Sequence, residues 1–388
     1  MGNLRCLTIS GEYPPMRGGV ADYSHILGQH LADLGVDVHV LTSLDAALPR
    51  RGDTHVHPII ESWSWRELFG AVRELLRQLE PDVISIQYQA AAYRLHPAIN
   101  LLPLRFRNAP IVTTFHDLRV PYLFPKAGPL RKEAVWILAR HSRAVIATNA
   151  ADRVALVAQR GMPPVHEIPI GSNVTKRLPE AFDRAQWRAM WGLPRSAMVL
   201  CYFGFLNPTK GGEELMRCLA SLVRRGVDAH LVMIGGTIGA SDPANEAYLA
   251  SVLALVANLG LQARVHWTDY LPDTEVSAAF GLSDLCVLPY RDGASLRRGS
   301  LMAALAHGMP VLSTEPESPV RELVDGENIR LVARHSPTAL AEAAWNLWQD
   351  PKALERLAAG AKELSARFDW HEIAKRTLEV LHAAAQSD

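Results

Sequence analysis

Short apolar segments alternate with longer amphipathic stretches along almost the whole chain, and no other feature constrains the fold as tightly. LRCLTIS, VDVHVLT, DVISIQ, IVTTF, AVIAT and VHEIPI read as strands in the first half. MVLCYFG, AHLVMIG, ARVHW, LCVLP, PVLST and IRLV read as strands in the second. Near-continuous apolar runs suit strands buried on both faces, and the helices between them are what parallel strands need to return. One such stretch, VADYSHILGQHLADLG, repeats Val20, Tyr23, Leu27, His30, Leu31 and Leu34 at helical spacing before Gly35 ends it. The expected class is α/β with parallel sheets.

At 388 residues the chain exceeds one ordinary core and predicts two domains of similar size. The polar stretch LPEAFDRAQWRAMWGLPRSA precedes the second set of strands, which puts the boundary near residue 190. The domains expected are residues 1–190 and 191–365, followed by a helix in 366–388. That helix, FDWHEIAKRTLEVLHAAAQ, either covers the second sheet or packs back on the first domain.

Forty basic residues balance forty acidic ones, so no global field recruits nucleic acid or a membrane. No apolar run reaches the roughly 20 residues of a membrane-spanning helix, and the start lacks a signal-peptide core. Cys6, Cys201, Cys218 and Cys286 are scattered without metal-ligand spacing. They read as buried thiols of a reducing, cytoplasmic compartment.

Ligands of open parallel sheets gather beyond the carboxyl ends of the strands. In YPPMRGGVADYS, Gly18 and Gly19 let backbone approach a ligand, and the helix that follows offers free N–H groups to a phosphate or sugar oxygen. The pattern is not GxGxxG, which argues against NAD. His116 follows IVTTF directly, placed to bind a sugar hydroxyl or to shift protons near neutral pH; the alternative is a structural histidine bonded to Asp117. In YFGFLNPTKGGEEL, Gly204, Asn207 and Lys210 precede a Gly-Gly and a helix start, where an ammonium and backbone donors could converge on a diphosphate. The absence of GxxxxGK[ST] argues against an ATPase. Gly235, Tyr270 and Leu271 stand at further strand ends, and the loop YRDGASLRRGS brings Asp292, Ser295, Arg297, Arg298 and Ser300.

With these segments in order, the chain resembles the GT-B glycosyltransferases, specifically the GT4-like retaining family. The resemblance rests on GEYPPMRGGVADYS, HLADLGVDVHVLT, PDVISIQYQ, VTTFHD, IPIGSN, FGFLNPTKGGEEL, LPDTEVSAAFGLSDLCVLPY, LMAALAHGMPVLST and VRELVDGENIRLV. It implies two Rossmann-like domains facing a cleft, the first for the acceptor and the second for a nucleotide sugar, with the last helix crossing back to the first. It implies no resident cofactor and no metal, the diphosphate being neutralised by helix ends and basic side chains. Gly19 would lie at the donor phosphates, His116 near the sugar, Lys210 on the diphosphate, and residues 269–271 beside the base. Transfer would proceed on one face of the sugar, with the departing phosphate helping to deprotonate the acceptor, so no side-chain nucleophile is nominated.

The family usually carries an arginine after the glycine of the first donor strand, where Phe205 stands here, and two glutamates where Ser295 and Ala303 stand. Arg297 or Arg298 is expected to replace that arginine as a diphosphate clamp. Ser295, Ser300 and backbone N–H groups would replace carboxylate contacts to the sugar. The catalytic assignments are therefore His116, Lys210 and Arg298. The expected partners are a nucleotide sugar and a sugar, lipid-linked or small-molecule acceptor. The competing readings are a catalytically silent GT-B sugar-binding protein and a sugar-nucleotide epimerase. Arg94, Arg105, Arg107, Lys126, Arg131 and Lys132, set among apolar residues, would suit peripheral contact with anionic lipid at the inner membrane face.

Overall fold

The computed structural model describes residues 4–16, 18–46, 54–118, 130–235 and 243–386. By internal packing the chain divides into one unit of residues 1–171 with 369–388, and a second of residues 172–368.

The first unit is a seven-stranded sheet in the order β3-β2-β1-β4-β5-β6-β7. Its strands are β1 (Arg5–Ser10), β2 (Asp37–Ser43), β3 (His55–Ile60), β4 (Val83–Tyr88), β5 (Ile111–Phe115), β6 (Ala144–Ala147) and β7 (Val165–Glu167). Every pairing is parallel. β4 and β5 are buried at every residue, as strands covered by helices on both faces must be. β3 was absent from the strands expected above. Its sequence HVHPII has two histidines and Pro58, and it occupies a sheet edge, where a missing N–H is tolerated.

The second unit is a six-stranded parallel sheet in the order β10-β9-β8-β11-β12-β13. These are β8 (Met198–Phe203), β9 (Ala229–Ile234), β10 (Val265–Trp267), β11 (Leu285–Leu288), β12 (Val311–Thr314) and β13 (Arg330–Val332). Both sheets reverse strand order once, between β1 and β4 and between β8 and β11, and the crevice at such a switch point is where ligands bind.

The packing division falls at 171/172 rather than near 190. Residues 178–195 look irregular in sequence, yet Arg188 is buried and bonds the Leu282 and Ala197 carbonyls and Asp284 (2.8 Å). Arg177 N–H donates to Ser277 Oγ at 2.9 Å. A buried charge must be paired, and its partners belong to the second unit. The Trp370–Gln386 helix packs on the Gly19–Asp33 helix of the first unit, burying Ile373, Ala374, Val380 and Leu381 in its core. All four cysteines are buried free thiols. No helix among the described residues is long and apolar enough to cross a membrane.

Candidate functional site

In the second unit the site grows from the ends of β8 and β11. Gly204 takes over from β8 with φ +109, a conformation that L side chains rarely adopt. A Cβ there would stand 3.4 Å from Lys210 Nζ and 3.6 Å from Ser300 Cβ, so the glycine leaves open the space these two side chains flank. Asn207 spends its side-chain oxygen on the turn, accepting from Thr209 N–H (3.0 Å) and Thr209 Oγ (2.8 Å). That turn presents Lys210 and ends at Gly211, with φ +71, where a Cβ would meet the Pro289 carbonyl oxygen at 1.9 Å. The two loops are thus locked backbone to backbone, and Arg291 N–H adds a bond to the Thr209 carbonyl.

Lys210 is half-buried, and no described residue accepts a hydrogen bond from its ammonium. Burial, reinforced by the Arg298 guanidinium, lowers its pKa to about 8. An unpaired cation held beside a second cation is a site prepared for an anion.

Arg298 is aimed by two neighbours. One of its terminal nitrogens donates to both oxygens of Asp292, and its guanidinium lies 5.0 Å from the centre of the fully buried Tyr290 ring. The Tyr290 hydroxyl bonds Ser300 Oγ at 2.6 Å. Ser300 lies in the first turn of the Gly299–Ala306 helix, whose amino end has no side-chain cap. Lysine, arginine, a hydroxyl and free helix N–H groups so converge at the β8/β11 switch point. This combination has the chemistry to receive an anionic oxygen group such as a phosphate.

Of the positions singled out from sequence, Gly204, Lys210, Asp292, Arg298 and Ser300 come together here. Ser295 Oγ accepts from Arg297 N–H at 3.4 Å, and Ser295 and Arg297 are both half-buried. Gly235 follows β9, donates to Thr268 Oγ at 3.1 Å and bridges to Asp269. Tyr270 beyond it is exposed and Leu271 half-buried. Ala303 is fully buried, so no group reaches a ligand from that position. Tyr290 and Arg291 were not foreseen. Arg291 bridges Glu214 (2.8 Å) and Glu213 (2.9 Å) on the first turn of the Gly212–Arg224 helix. The readable signal was their place just beyond a buried strand.

The first unit carries its own cluster at the ends of β1, β4 and β5. His116 Nε2 lies 3.0 Å from Gln87 Oε1, while the Gln87 amide nitrogen donates to Ser85 Oγ at 3.1 Å. The Gln87 oxygen must therefore accept, which makes the ring Nε2-protonated and leaves Nδ1 an acceptor. Burial lowers the His116 pKa to about 4. The ring is neutral at neutral pH and offers Nδ1 as an acceptor to a hydroxyl. Its partner is Gln87 rather than Asp117. Tyr23 packs edge-on against it at 4.5 Å, and the buried Tyr23 hydroxyl has no partner among the described residues.

Gly18 is extended, and its missing side chain makes room for Glu12, whose Oε2 would lie 2.3 Å from a Cβ. Glu12 is held above the usual carboxylate range by burial and by Asp22, and was not foreseen. Gly19 is exposed, with open space where a Cβ would stand.

Of the basic residues expected at a lipid surface, Arg94 pairs with Asp45 at 3.1 Å, Arg105 stacks on Phe106 and Arg107 bonds the Leu104 carbonyl. Lys126 and the side chains of Arg131 and Lys132 lie outside the described residues.

Residues 183–364 match the family described as glycosyl transferases group 1, and residues 17–176 match glycosyltransferase family 4. The chain is 27% identical to the D-inositol 3-phosphate glycosyltransferase 1 of Catenulispora acidiphila, over 95% of this chain and 91% of that one. It is 25% identical to the GDP-mannose-dependent alpha-(1-6)-phosphatidylinositol monomannoside mannosyltransferase of Mycolicibacterium smegmatis, over 97% of each. Anabaena HepE, solved in complex with UDP and glucose, shares the fold with a TM-score of 0.75 at 19% identity, covering 98% of this chain and 100% of that one.

Proposed function

Since this chain is a glycosyltransferase of group 1, of the GT4-like kind with a GT-B fold, we propose that the β8/β11 site grips the diphosphate of its nucleotide-sugar donor through Lys210, Arg298 and the start of the Gly299–Ala306 helix. The observation that carries this reading is the unpaired Lys210 ammonium beside Arg298 at the switch point. Two fixed cations supply the charge that a bound metal would otherwise bring to a departing diphosphate, so transfer proceeds without a divalent ion.

Transfer retains anomeric configuration. Asp292 is bonded into the cluster, but both of its oxygens are held by Arg298, which makes it a poor nucleophile. The leaving phosphate then takes the proton from the acceptor hydroxyl on the same face of the sugar, and the protein's part is positioning and charge stabilisation. Ser300 and Ser295 bond sugar or phosphate oxygens in place of the family's carboxylates. Residues 269–271 flank the base.

The first unit binds the acceptor, with neutral His116 offered to a sugar hydroxyl and the Tyr23 ring packed edge-on beside it. The acceptor class is a hydroxyl of a sugar, a polyol or a lipid-linked glycan, in keeping with relatives named for inositol phosphate and phosphatidylinositol mannoside. For a lipid-linked acceptor, Arg105 and Arg107 meet anionic lipid, and the test is vesicle binding that weakens as salt is added.

Turnover of a panel of UDP- and GDP-sugars, measured with and without chelator, tests the function. Transfer or slow hydrolysis of one donor, undiminished by chelator and giving the donor's anomeric configuration, is expected. Binding without any turnover would favour a silent sugar-binding protein, and loss of turnover in chelator would reject metal independence.

A further inference from the structure

Well away from the carboxyl ends of the strands, at the beginning of β2 and β3, four polar side chains share one face of the first sheet. Asp37 and His39 are two residues apart on β2, and His55 and His57 two apart on β3, so each pair points the same way. His39 is registered directly opposite His55. Asp37 Oδ1 lies 3.2 Å from His39 Nε2 and 3.8 Å from His55 Nε2, and the three donor atoms fall within 4.8 Å of one another.

Two further contacts fix His39 and Asp37 so that their donor atoms face His55 Nε2. His39 Nδ1 is 3.0 Å from His57 Nε2, so the far nitrogen of His39 has a fixed partner and its Nε2 faces the other two donors. Arg5 holds the other oxygen of Asp37 at 2.6 Å, which orients Oδ1 toward the imidazoles. Two imidazoles and a carboxylate, one imidazole oriented from behind, is the donor set and support that zinc favours.

The second unit supplies an internal contrast. Asp228, His230 and His266 repeat the motif there, with His230 Nδ1 3.0 Å from His266 Nε2 and His230 Nε2 3.5 Å from Asp228 Oδ1. Two residues before His266, where the first unit has His55, stands Arg264, bonded to Asp228 Oδ1 at 2.6 Å. That cluster carries its own cation. The first-unit cluster offers a metal donor in the same place.

We propose that Asp37, His39 and His55 form a binding site for a divalent transition metal of the zinc class, with His57 and Arg5 as positioning residues. Solvent completes the coordination, since His55 is 43% exposed at its side chain. The ion ties the edge strand β3 to β2 at the amino ends of these strands and uses no residue of the donor site, so it is compatible with the metal-independent transfer proposed above.

The test uses untagged full-length protein stripped with chelator, titrated with Zn2+ against a chromophoric competitor, and with Co2+ read by its visible absorption. Wild type is expected to take up one equivalent tightly, with a tetrahedral-type Co2+ spectrum and a raised unfolding temperature. His55→Arg, which copies the second unit's arrangement, is expected to fold normally in chelator and to lose that uptake. His57→Gln is expected to weaken it about tenfold. Failure of wild type to bind one equivalent tightly, or uptake and Co2+ spectrum unchanged in His55→Arg, overturns the proposal.

Discussion

Asp292 holds Arg298 through both carboxylate oxygens, and the two side chains are equally shielded, each 22% exposed. The pair leaves two of the three guanidinium nitrogens to a ligand while fixing the plane in which they point. Asp292→Asn should release that orientation, raising donor KM several-fold and lowering stability by about 1 kcal/mol. In an Arg298→Ala background the same change should leave donor KM where it was. Steady-state kinetics on the four proteins of the cycle checks this.

Lys210 gives a pH signature. Its pKa of about 8 lies below the ordinary lysine value, so the unfolded chain binds the proton more strongly. Stability should therefore rise as pH climbs from about 8 toward 10.5, and the cost of holding the charge is fully present below pH 8. Lys210→Met should stabilise the ligand-free protein at pH 7 by on the order of 1 kcal/mol, discounted for its partial exposure, while weakening diphosphate binding. Because a bound diphosphate raises the ammonium pKa, binding at pH 8 should take up a fraction of a proton. Calorimetry in buffers of different ionisation enthalpy measures that uptake, which Lys210→Met should abolish.

His116 and His307 are both lowered to about 4, His116 by burial and His307 by burial against a backbone bond that raises it. Each binds its proton more tightly in the unfolded chain, so stability should fall as pH drops from about 6.5 toward 4. The slope should approach about 1.4 kcal/mol per pH unit for each group. Denaturant unfolding across that range tests this, and His116→Gln should remove about one proton from the slope. The same variant should lower kcat/KM roughly 10- to 100-fold without creating or moving a pH limb between 6 and 8.

Two glycines separate fold from ligand contact. Gly211→Ala forces a Cβ into the Pro289 carbonyl at positive φ and should destabilise the protein by at least about 2 kcal/mol. Gly19→Ala meets open space and should change stability by less than about 0.5 kcal/mol. Loss of activity in the second variant, with an unchanged unfolding temperature, would report a ligand at Gly19.

The alternation of apolar runs and helices was sufficient to read the two parallel sheets, because a strand buried on both faces leaves a continuous hydrophobic trace. The site's principal residues were readable for a related reason, since parallel strands deliver their carboxyl ends to one edge. The sequence did not reveal which side chains pair. Asp292 closes on Arg298, Glu12 fills the gap at Gly18, and Arg188 finds Asp284 across 96 positions. These are consequences of folding rather than of local pattern. β3 escaped notice because an edge strand tolerates proline and polar residues that a central strand would not.

Calorimetric titration of UDP and GDP into wild type, Lys210→Ala and Arg298→Ala tests the donor-site account most directly. The account predicts tight binding of at least one diphosphate by wild type and a loss of roughly 10- to 100-fold in each variant, the worth of one charge-assisted contact. Equal affinity in all three proteins would contradict it.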